Sequence, residues 1–173
     1  MNASQIHLAL THVPVILSFI GLVILSIGLL KKNETVIKTS FYILLAAGLF
    51  TLPVYFTGEG TEEIVEDLPG VSESIISRHE DVANFTLVVI SITALLALSG
   101  ILFYSRKIIG KLARIGVLVL SFISAGAMAQ TAHLGGSIRH SEIRTGVAGN
   151  NEQNVKNEVQ QDGEQGTETK DED

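Results

Sequence analysis

Four long apolar runs separated by short polar stretches set the pattern of this chain, at residues 6–30, 39–57, 82–104 and 112–132. Each is close to the roughly 20 residues a helix needs to cross a bilayer. From His12 to Leu30 no Asp, Glu, Lys or Arg interrupts the first run, and polarity then returns abruptly as "KKNE". Backbone in lipid must satisfy its own hydrogen bonds, so such runs predict helices rather than isolated strands. The expected fold is all-α, a four-transmembrane-helix bundle.

The polar stretches carry their own predictions. Between the second and third runs, "GEGTEEIVEDLPGVSESIISRHED" sets eight acids against the single base Arg78. Thr61 followed by Glu62 and Glu63 predicts the cap of a short amphipathic loop helix reaching Leu68, because carboxylates favour a helix start. Pro69-Gly70 predicts a turn, and Ser72 or Ser74 a second cap, from which a helix runs through His79 into the third span. Residues 146–173, rich in Gly, Gln and acids, predict a disordered acidic tail after a membrane domain over 1–145. No internal repeat of fixed period is visible, although two helical hairpins can pair without one.

Charge orients the bundle. Seven of the twelve basic residues lie in two short turns, Lys31, Lys32 and Lys38 in the first and Arg106, Lys107, Lys111 and Arg114 in the second. The positive-inside rule puts those turns in the cytoplasm, so both termini and the acidic loop face outward. The first run is preceded by no basic stretch and followed by no small-residue cleavage pattern, and it is expected to remain as the first helix. Cysteine is absent, so disulfides, thiolate-held clusters and covalent haem attachment are excluded. The bases sit in membrane turns rather than on a nucleic-acid surface.

Candidate chemistry rests on histidine. All five, His7, His12, His79, His133 and His140, fall at the outward side of this topology. At ~1.5 Å per residue, His12 lies deeper than His7 on the first span, and Asn84 lies as far below His79. Ionisable groups inside a bilayer are costly and usually mark a site, and imidazole ligates both haem iron and transition metals. The bland reading of each is a snorkelling polar tip or an interhelical hydrogen bond. Five residues separate His7 from His12, about 140° around a regular helix. Pro14 either starts the helix, leaving His12 in an irregular entry, or lies inside it and frees the carbonyl of Leu10. Glu80 and Asp81 beside His79 can support a ligand or simply favour the helix start. Ala125, Gly126 and Ala129 give the face of His133 small residues, which a flat porphyrin or a neighbouring helix can approach.

Taken together, "HLALTHVP", "RHEDVANF" and "HLGGSIRHSEI" resemble the bacterial four-helix inner-membrane proteins of domain-of-unknown-function family 2231. The first span of that family carries a His, a second His five residues on and a proline two further, as do His7, His12 and Pro14 here. Its His before span three and Asn five residues later are matched by His79 and Asn84, and its Gly-Gly pair by Gly135 and Gly136. Residues 5–145 carry the resemblance. Relatives fused to Rieske domains imply work near an electron-transfer chain, by analogy.

The leading expectation is a haem b protein passing electrons at the outer side of a bacterial cytoplasmic membrane. His12 with His133 or His79 would be the axial pair, His7 an additional candidate, and Asn84 and Glu80 supporting residues. An alternative is an envelope copper or zinc protein using His7, His79 and His140. A third is a structural or assembly protein without cofactor. No nucleophile, base and electrophile gather in the sequence, so a carrier or binding protein is expected rather than a catalyst. The lipid bilayer and redox proteins are the expected partners, and four short spans bury little area, which is compatible with a homodimer.

Overall fold

A computed structural model describes residues 2–66 and 71–139. All of the regular structure among them is helical: α1 (Ala3–Leu10), α2 (His12–Leu30), α3 (Glu34–Val65), α4 (Glu73–Leu102) and α5 (Lys107–Arg139). Four stretches are long and apolar enough to cross a membrane: α1 with α2, then α3, α4 and α5. They run up-down-up-down. α2 packs on α3, α3 on α4, α4 on α5 and α5 back on α2, while α1 lies against α3.

The first span is one path with an interrupted ladder. Pro14 lies inside it and has no N–H to offer the carbonyl of Leu10. Thr11 keeps helical angles, φ −51° and ψ −40°, so the chain carries on in the same direction across the break. Asn2 caps α1 by accepting from the N–H of Gln5, whose side chain accepts in turn from the N–H of Asn2, which satisfies two orphan donors reciprocally. The turn after α2 puts Lys32 at φ 50°, while the N–H of Asn33 reaches back to the carbonyl of Gly28. Asn33 then caps α3 through the N–H groups of Thr35 and Val36.

The expected loop helix is not a separate element. α3 runs unbroken from Glu34 to Val65, and the Thr61 hydroxyl, rather than capping a new helix, donates to the carbonyl of Thr57 at 2.9 Å. Ser72 is the N-cap of α4, but its hydroxyl pairs with that of Ser74 at 2.8 Å instead of a backbone N–H. The Pro69-Gly70 turn, His140 and the tail lie outside the described residues.

Leu25, Ile37, Phe41, Leu44, Ala97 and Val117 make one core cluster near the basic turns, and Ala47, Ile90 and Met128 a second nearer the histidines. Phe19, Phe50, Leu95 and Phe122 remain exposed on the outside of the four spans, as expected of faces turned to lipid. The helices approach closely: a Cβ on Gly48 would stand 2.6 Å from that of Ala94, and one on Gly100 2.5 Å from the Phe41 ring.

The two hairpins share a pattern that their residue types conceal. A shift of 72 residues carries Pro14, Ser18, Gly21, Leu22, Leu25 and Gly28, the buried residues of α2, onto Thr86, Ile90, Thr93, Ala94, Ala97 and Gly100, all buried in α4. A shift of 77 carries Ser40, Leu44, Ala47, Gly48 and Thr51 of α3 onto Val117, Ser121, Ser124, Ala125 and Met128 of α5, again all buried. The second hairpin spends five more residues around its turn, so no fixed period appears in the sequence. The bundle is thus a parallel pair of equivalent hairpins, related about an axis along the helices.

Candidate functional site

The start of α1, the start of α4 and the ends of α3 and α5 come together at one end of the bundle. His7 on α1 is half-buried, and its Nδ1 lies 2.9 Å from the carbonyl oxygen of Val54 on α3. His79 on α4 is also half-buried, with Nδ1 3.1 Å from the carbonyl oxygen of Thr131 on α5. The same shifts of 72 and 77 that align the cores carry His7 onto His79 and Val54 onto Thr131. Each hairpin therefore ends in one imidazole bound to the backbone of its own second helix.

Glycine makes both contacts feasible. Gly58, one turn beyond Val54, leaves the helix surface open where the His7 ring lies, and a Cβ there would stand 3.6 Å from Cε1. Gly135, one turn beyond Thr131, does the same for His79, with a tighter 3.2 Å. Thr57 adds its hydroxyl 3.4 Å from the Nδ1 of His7. Thr131 is itself braced, since its hydroxyl pairs with that of Thr86 at 2.9 Å and donates to the carbonyl of Ala127.

A carbonyl only accepts, so each Nδ1 carries a hydrogen, and in the neutral form of such a ring the lone pair falls on Nε2. Among the described residues neither Nε2 has a hydrogen-bond partner, and an imidazole anchored through Nδ1–H is how a neighbouring carbonyl orients a metal-ligating histidine.

The other sequence candidates fall differently. His12 and His133 are both exposed, and His133 enters the hydrogen-bonding pattern through its backbone carbonyl, which accepts from Ser137 at 2.9 Å. The side chain of Asn84 accepts a hydrogen bond from the hydroxyl of Tyr55, which joins α4 to α3. Glu80 is exposed. Among the described residues no three His, Asp or Glu side chains gather as a metal-holding group. Residue types alone gave no indication of Val54 and Thr131, which act through backbone carbonyls. Gly58 was findable, as the glycine at the height of His7 on the neighbouring span.

No family model, curated protein or solved structure matches the chain. The functional argument therefore rests on this geometry.

Proposed function

We propose that this is a multi-pass protein of a bacterial cytoplasmic membrane that binds b-type haem between His7 and His79 and passes electrons at the outer face. The observation that carries the reading is the pair of imidazoles, one from each hairpin, each tied by Nδ1 to a helix carbonyl and each with no Nε2 hydrogen bond among the described residues. His7 and His79 would hold the haem, which when bound by two imidazoles would supply one-electron transfer rather than substrate chemistry. Asn84 with Tyr55 ties α4 to α3 beside this end, and so supports the relative placement of the hairpins. The basic turns at the opposite end favour a cytoplasmic location there, which puts the histidines outside. The resemblance to family 2231 is in keeping with an inner-membrane setting.

The test is an absorption spectrum of the purified full chain, oxidised and reduced, after expression with haem supplied, with a metal assay on the same sample. A sharpened reduced band that is lost in His7→Ala and in His79→Ala but kept in His12→Ala and His133→Ala supports the reading. A band lost only in the latter pair moves the ligands to the exposed histidines. The same two Nε2 atoms also favour the second reading, an envelope copper or zinc site completed by His140, and a colourless protein with near-stoichiometric metal would select it. A colourless, metal-free protein leaves His7 and His79 as clamps between helices.

A further inference from the structure

At the end opposite the histidines, the turn between α2 and α3 meets the turn between α4 and α5. Glu34 of α3 accepts from Arg114 of α5 at 2.9 Å. Lys38 of α3 stands 4.0 Å from the centre of the Tyr104 ring, and the Arg114 guanidinium 5.1 Å from it. One aromatic ring thus gathers a cation from each hairpin. Within residues 31–38 and 103–114 there are seven bases and one acid, Glu34. That acid is already engaged, and neither the Tyr104 hydroxyl nor the Arg114 Nε has a hydrogen-bond partner among the described residues. The region is rich in donors and short of acceptors.

Immediately beside these cations, large apolar side chains are bare: Leu30 is 84% exposed, Leu102 67%, Ile108 77% and Leu112 66%. Ile108 and Leu112 are one turn apart on α5 and lie on one stripe of it. An acidic protein or a soluble phosphate would account for the cations but not for these residues. A molecule with an anionic head and long apolar tails accounts for both, and the ends of membrane-crossing helices are where it would be met.

We propose that this end seats an anionic glycerophospholipid as a defined ligand. Its phosphate is held by Lys38 and Arg114 with the exposed bases Lys31, Arg106 and Lys111, and its acyl chains lie along Leu30, Leu102, Ile108 and Leu112. Because Lys31 and Lys38 belong to the first hairpin and Arg106, Lys111 and Arg114 to the second, the lipid bridges the hairpins at the end where the histidines do not.

The test is native mass spectrometry of the full chain in detergent after incubation with equal phosphatidylglycerol and phosphatidylcholine. Retention of phosphatidylglycerol about tenfold or more above phosphatidylcholine is expected, and the Lys38→Met/Lys111→Met double variant should lose that preference by a similar factor. The double arginine variant, Lys38→Arg/Lys111→Arg, should keep it. Equal retention of the two lipids by the unaltered chain overturns the proposal without recourse to any variant. So does full preference in the methionine variant, since attraction is then diffuse. Displacement of phosphatidylglycerol by millimolar inorganic phosphate also overturns it, because the site then reads the anion and not the lipid.

Discussion

The fit of His79 over Gly135 can be tested against that of His7 over Gly58, because the two glycines differ by only a few tenths of an ångström of clearance. Alanine in place of glycine inside a helix stabilises by about 0.5–1 kcal/mol, through the smaller loss of backbone freedom. At position 58 the new Cβ would make ordinary contact with His7, 3.6 Å from Cε1 and 3.9 Å from Nδ1, so Gly58→Ala keeps that gain. At position 135 it would lie 3.2 Å from Cε1 and 3.5 Å from Nδ1 of His79, and the ring must retreat. Its bond to Thr131 is already 3.1 Å long, near the upper end of the N–H···O range, so a retreat of roughly 0.3 Å breaks it. Losing that bond costs about 1 kcal/mol net, which offsets the helix gain. Gly135→Ala should therefore be neutral or destabilising, about 1 kcal/mol below Gly58→Ala. Denaturant unfolding of the full chain in micelles, followed by circular dichroism at common slope, reads the difference. In a His79→Ala background, Gly135→Ala should recover the full gain, which isolates the contact as a pairwise term. Equal stabilisation by both alanines in the unaltered background would refute the placement of the imidazole.

Three further outcomes follow from the same geometry. Gly100→Ala puts a Cβ 2.5 Å from the Phe41 ring and 3.2 Å from Ala113, and should destabilise by about 1–3 kcal/mol by overpacking in the same unfolding assay. Lys32→Gly removes a non-glycine residue from φ 50° and should stabilise by about 1 kcal/mol; no gain would mean that the turn does not hold this conformation. Amide exchange should be faster over residues 3–10 than over residues 75–82, because α1 buries none of its residues and is followed by the Pro14 break, whereas the matching part of α4 buries Ile76 and continues unbroken. Equal protection of the two would remove the distinction between the hairpins.

Hydropathy made the four spans legible because lipid imposes one rule on every residue of a run, and the long uncharged stretch ending at Leu30 could be read no other way. Their ends were less legible. α3 continues to Val65 past Gly58, Gly60 and three acids, since above the apolar zone a helix needs only continued hydrogen bonding, not apolar composition. The histidines were placed at one end by topology alone, and the four that are described do lie there. Which of them meet was not legible, because the deciding partners are the carbonyls of Val54 and Thr131, which every residue type possesses. Pro14 was read with two alternatives open, and the helical angles of Thr11 show that it lies inside the span. The equivalence of the hairpins was hidden for a related reason: burial repeats under shifts of 72 and 77, while Ser18 answers to Ile90 and Leu44 to Ser121.

That mismatch of residue types bears on the site. The first hairpin brings α2 and α3 together by deleting side chains, with Gly21 against Leu44 and Gly28 against the backbone of Ile37. The second adds hydroxyl pairs, Thr86 with Thr131 and Thr93 with Ser124, to glycine contacts of its own, Gly116 against Leu96 and Gly100 against Ala113. Both solutions permit close approach in a membrane, and the hairpins differ where Gly21 answers to Thr93 but agree where Gly28 answers to Gly100. At the histidine end the two hairpins use the same parts: an imidazole, a helix carbonyl and a glycine one turn further on. Under the proposed function a ligand bound between the hairpins takes one Nε2 from each, which would account for the repetition there. For that reason we assign the proposed ligand to His7 and His79 rather than to the exposed pair His12 and His133.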